Sequence, residues 1–141
     1  MRARIALVAI LVSIAPGATP APAEDVTGAD RLLCAAVEAS VCALDAECYV
    51  GAPWNWDIPD FIEVDLVART LSTTKASPRP RTTPIKHLDR SEGLIVIQGV
   101  EAGRAFSFVI TEETGMLSAA VARQGITVGV FGSCTPMAAA R

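Results

Sequence analysis

From residue 61 onward the chain alternates apolar and polar positions in short runs broken by glycine-bearing turns. In Phe61-Ile62-Glu63-Val64-Asp65-Leu66-Val67, the side chains of Ile62, Val64 and Leu66 share one face of an extended segment and Glu63 and Asp65 the other. Thr70 to Thr74 is a β-branched run. Lys75 to Pro84 holds Pro78, Pro80 and Pro84 but no large apolar residue, and reads as a loop. Ile85 to Asp89 predicts a short strand closed by the turn Arg90-Ser91-Glu92-Gly93, and Leu94 to Val100 a strand closed by Glu101-Ala102-Gly103. Arg104 to Thr111 puts Phe106, Phe108 and Ile110 on one face before the turn Glu112 to Gly115. Met116 to Ala122, the turn Arg123-Gln124-Gly125 and the strand Ile126 to Phe131 complete the series, with Gly129 read as a bulge or close backbone approach. Gly93, Gly103, Gly115 and Gly125 recur at intervals of 10 to 12 residues, the rhythm of consecutive hairpins. The pattern predicts an all-β fold: an antiparallel meander forming a small closed or partly open barrel.

The N-terminal half is less regular. Residues 31–43 admit two readings. Leu33, Val37, Val41 and Leu44 share a helical face, whereas a long strand would set Leu33, Val37 and Val41 against Cys34, Glu38 and Cys42. The strand is preferred, because a strand beside the last one would help remove the bare edges of the sheet. Tyr49 to Pro59 reads as an irregular aromatic loop carrying Pro53, Trp54, Trp56 and Pro59. Ahead of all this, Met1-Arg2-Ala3-Arg4 is basic, Ile5 to Ala15 is an apolar run of eleven residues, and Ala21-Pro22-Ala23 is a small-x-small end. The run is short of the ~20 residues that a membrane-spanning helix needs. Residues 1–23 therefore read as a signal peptide cleaved after Ala23, and 24–141 as a single exported β domain. The expected location is the bacterial periplasm or the exterior, with no stable membrane insertion.

That address changes the meaning of the composition. Arg2 and Arg4 would leave with the leader while all 15 acidic residues stay, so the domain is more acidic than the formal net charge of −3. An acidic surface disfavours nucleic acid as a partner. All four cysteines lie beyond the leader, and an even number in an oxidising compartment predicts two disulfides. Of the three connectivities, Cys42–Cys48 with Cys34–Cys134 is preferred. The first spans a loop short enough for a hairpin tip; the second ties the start of the domain to its end. A zinc site is disfavoured, since Cys42-x5-Cys48 lacks metal-ligand spacing and His87 is the only histidine. No metal or cofactor is expected.

Little of the remaining chemistry converges. His87 and Asp89 would share a strand face, and Ser91 or Ser107 could complete a triad, but no glycine-flanked serine elbow is present. Glu63 and Asp65 have a spacing compatible with paired carboxylates and equally with a solvated strand face. Lys75, Arg79, Arg81 and Lys86 form a basic cluster on the Pro-rich loop, read as a solvated loop, the alternative being a dock for an acidic partner or a phosphate-bearing surface. Trp54 and Trp56 are more suggestive, because large aromatics two apart in extended chain point the same way. With Phe61 they are the candidate ligand or partner contacts, the alternative being that they plug one end of the barrel. Ala119, Ala120, Ala122 and Gly129 would either line a cavity or permit tight packing.

The pieces Phe61-x-x-x-Asp65, Thr70-Leu71-Ser72-Thr73-Thr74, Arg104-x-Phe106-x-Phe108, Thr114-Gly115 and the ending Phe131-Gly132-x-Cys134-Thr135-Pro136 resemble a group of small exported bacterial proteins of unassigned function. The resemblance implies no activity. In architecture alone the chain is similar to small periplasmic barrels, among them lipocalin-like binders and inhibitors of lysozymes or secreted proteases. The expectation is a monomeric, non-catalytic binding module for a small, partly apolar ligand. The alternative is a periplasmic protein-interaction module, such as an envelope inhibitor or accessory factor.

Overall fold

The computed structural model describes residues 24–138, so the predicted leader and the predicted cleavage after Ala23 lie outside the described residues. The chain forms ten strands, β1 (Arg31–Ala43), β2 (Tyr49–Gly51), β3 (Phe61–Asp65), β4 (Thr70–Thr73), β5 (Thr82–Pro84), β6 (His87–Ser91), β7 (Leu94–Glu101), β8 (Arg104–Thr111), β9 (Met116–Arg123) and β10 (Ile126–Pro136). They make one antiparallel sheet in the order β5-β4-β3-β1-β10-β9-β8-β7-β6, with β2 beside β1, curled into a half-barrel. The edge strands β5 and β6 follow one another in the chain. The Ile85 amide donates to Arg69 on one flank, and the next amide, that of Lys86, donates to Gln98 on the other. The chain itself thus pins the two edges together at one corner. Pro84, which has no amide to offer a ladder, sits on the edge strand where that lack costs least.

Residues 31–43 are strand throughout, and the reason is pairing rather than propensity. β1 pairs with β10 from Leu32↔Pro136 to Ala43↔Ile126, and its other flank takes β3 and then β2. Tertiary partners on both sides override the helix preference of an Ala-rich segment. The sequence-derived faces of this strand need correction, because the pairing skips Val37: Ala36 faces Gly132 and Glu38 faces Phe131. Before this bulge the even residues Leu32 and Cys34 are buried; after it Ala39 is buried, and Val37 itself lies exposed. The strand turns over without leaving the sheet.

Gly132, not Gly129, is where backbones crowd. A Cβ on Gly132 would lie 2.0 Å from the Ala35 carbonyl oxygen, whereas one on Gly129 would meet nothing within 4 Å. Other boundaries move for similar reasons. The last part of the Pro-rich loop is strand β5, Tyr49–Gly51 pairs with Ala39–Val41, and β10 runs on to Pro136 to meet the start of β1. The β7–β8 connection shrinks to Ala102-Gly103 and the β6–β7 connection to Glu92-Gly93, with φ positive at all four residues. That is the backbone of a type I′ turn, whose twist matches the flanking strands.

Both disulfides are present as expected: Cys34–Cys134, 100 residues apart, and Cys42–Cys48, 6 apart. Cys34 and Cys134 are direct cross-strand partners on β1 and β10 and belong to the core. That core fills one end of the half-barrel with Leu32, Val64, Leu66, Leu71, Ile85, Ile95, Ile97, Phe108, Ile110 and Leu117. The segment before β1 caps it. Val26 is fully buried and its amide donates to the Glu112 carbonyl oxygen (2.8 Å). Arg90 secures this cap, donating to the Glu112 carboxylate at 2.6 Å and to the Ala29 carbonyl oxygen at 3.1 Å. Such disulfides fit an oxidising compartment.

Candidate functional site

The end of the half-barrel opposite Val26 is hollow. A cavity of about 490 Å³ lies there between the inner faces of the strands. Its wall is built from inward rows: Ile62 on β3, Leu71 on β4, Phe106 and Phe108 on β8, Leu117, Ala119 and Val121 on β9, and Ile126, Val128 and Val130 on β10. Val41 joins them only because the Val37 bulge has turned the second half of β1 inward. Phe106 and Phe108 meet edge to face, ring centroids 5.7 Å apart. Phe106 lies across its cross-strand partner Gly99, where a Cβ would stand 2.4 Å from the ring. The volume falls within the range of about 300–1,000 Å³ usual for small-molecule sites.

Of the candidate contacts, only Trp56 lines this cavity. Pro53–Trp56 is a single 3-10 turn rather than extended chain, so residues two apart diverge instead of pointing together. Trp56 turns toward the interior, where Gly51 leaves room for its ring (3.1 Å to a Cβ placed there). Trp54 is 67 % exposed and Phe61 47 % exposed; both border an adjoining groove with Pro59, Pro78 and Arg79. Neither tryptophan plugs the packed end. Of the small residues, Ala119 lines the cavity, whereas Ala120 and Gly129 face each other on the outer side.

The basic cluster is dispersed. Arg79 pairs with Asp57, tying the Pro-rich loop to the 3-10 turn, while Lys75 and Lys86 are exposed. Arg81 reaches the cavity instead. The other sequence candidates find structural partners: Arg31 lies between Glu63 (3.8 Å) and Asp65 (3.5 Å), and Ser91 donates to Asp89 at 2.6 Å, leaving His87 exposed on the edge strand. Among the described residues no His, Cys, Asp or Glu group is clustered as a metal site would require.

Three residues at the mouth escaped the sequence reading. Glu101, Arg104 and Arg123 line the cavity beside Arg81 of the basic cluster. Glu101 accepts from the Thr83 hydroxyl at 2.6 Å, joining β5 to β7 across the seam, and lies 3.6 Å from Arg104. A signal for two of them was in the alternation. The row Ile110, Phe108, Phe106 continues to Arg104, and Leu117, Ala119, Val121 continues to Arg123. No family model matches the chain, and no curated protein or solved structure is significantly similar to it.

Proposed function

We propose that the protein is an exported, non-catalytic binding module that holds a small, partly apolar ligand in the hollow end of its half-barrel. One observation carries the reading: the inward rows that fill the packed end leave, at the other end, an apolar-walled cavity of about 490 Å³. A barrel built only for stability gains from filling its interior to crystal-like density, and unfilled apolar volume costs stability. Trp56 is the candidate contact within the cavity, and Trp54 and Phe61 border the outer groove beside its entrance. Export is part of this reading because residues 1–23 have the pattern of a signal peptide, and both disulfides fit an oxidising compartment.

The test is native mass spectrometry of the protein purified from its own cell envelope under non-reducing conditions. The expected result is a small-molecule adduct that an Ala119→Trp variant, its cavity filled, no longer carries. A bare wild-type chain that also fails to take up apolar probes would overturn the reading. The second reading, a periplasmic protein-interaction module, is favoured by the exposure of Trp54 and Phe61 beside one groove. A protein partner lost on Trp54→Ala, with the cavity empty, would support it instead.

A further inference from the structure

We infer that the ligand is an anionic amphiphile: an acyl or similar chain enters the cavity and its carboxylate, or a comparable acidic head group, stays at the arginine-lined mouth. The assignment rests on the proposed binding role. Its basis is where the charges stand. β8 and β9 each carry an inward row of apolar side chains, and at the mouth each row ends on an arginine, Arg104 and Arg123. Arg81, just before β5, lines the same cavity. Arg104 and Arg123 stand where an apolar residue would continue the wall, Arg123 exposed at the rim, and Arg81 stands between the cavity and the outer groove, in a chain whose net charge is −3.

The carboxylates at the mouth are already engaged. Glu101 takes the Thr83 hydroxyl and the Arg104 guanidinium, and Asp57 takes Arg79. Among the described residues, no carboxylate lies within ion-pair distance of Arg81 or Arg123. Two guanidinium groups thus remain to receive an anion above an apolar chamber. Guanidinium offers a planar fork that matches a carboxylate, so the mouth selects charge and the chamber selects an apolar chain.

The experiment titrates the purified protein with three probes of equal chain length, decanoate, decanol and decyltrimethylammonium, by calorimetry and Trp fluorescence. Decanoate should bind at least about tenfold more tightly than decanol, the ammonium weakest, with the decanoate advantage shrinking as salt is added. The double variant Arg81→Gln/Arg123→Gln should bring decanoate to the level of decanol and leave decanol unchanged. Equal affinities for all three probes, or a preference for the ammonium, would overturn the head-group assignment while leaving the cavity reading intact. Binding of none of them would remove both.

Discussion

At the scale of single residues, two glycines on one strand have opposite meanings. Gly132 sits where the β1 bulge brings the Ala35 carbonyl against β10, so Gly132→Ala forces backbone apart. The expected cost is about 1–3 kcal/mol, read as a lower midpoint in urea unfolding. Gly129→Ala adds a methyl to open space and should change stability by no more than about 0.5 kcal/mol. Similar losses in both variants would contradict the close approach. A reading by composition singles out Gly129, because it interrupts the run Ile126 to Phe131. Crowding depends on where the partner strand bulges, which no local pattern reveals. The tryptophans carry the same lesson: Trp54 and Trp56 stood out as unusual, but their divergence follows from a 3-10 turn that Pro53 opens.

Strands, turns and cysteine pairing were more legible, since each is dictated by local alternation or by a turn's demand for positive φ. The hairpins β7–β8 and β9–β10 lie close to where Phe106-x-Phe108-x-Ile110 and the turn glycines place them. The short edge strand β5 was hidden because Thr82–Pro84 has no apolar period of its own and pairs only because β4 is there. Among these elements β1 and β10 form the spine, and the Cys34–Cys134 bridge clamps the first strand to the last. On the loop-entropy account, a loop of ~100 residues contributes about 4.7 kcal/mol and the short Cys42–Cys48 loop about 2 kcal/mol. Cys34→Ser/Cys134→Ser should therefore lower the melting temperature well beyond Cys42→Ser/Cys48→Ser. Equal melting temperatures for the two double variants would show that β1–β10 pairing holds without its clamp.

Taken as a whole molecule, the half-barrel has one packed end and one hollow end. The packed end depends on Val26 being held under the sheet, and Arg90 does the holding through Glu112 and Ala29. Arg90→Met leaves the buried Glu112 carboxylate without its partner, at a cost of about 1–3 kcal/mol. Hydrogen exchange should report early loss of protection at the Val26 amide, with the ligand binding proposed for the far end retained. If exchange at Val26 is unchanged, the cap is held by its backbone bonds alone. The displaced residue Val37 has a chemical consequence beyond geometry. By reversing the parity of β1, it leaves the two cystines on opposite sides of the wall, Cys34–Cys134 inside and Cys42–Cys48 outside. A mild reductant should meet the outer Cys42–Cys48 cystine first, giving a folded species with two reactive thiols before any with four. Alkylation followed by mass measurement would detect that species, and its absence would mean that both cystines are equally open to attack. A single skipped residue thus lets the outer cystine be reduced while the inner one still holds the sheet together.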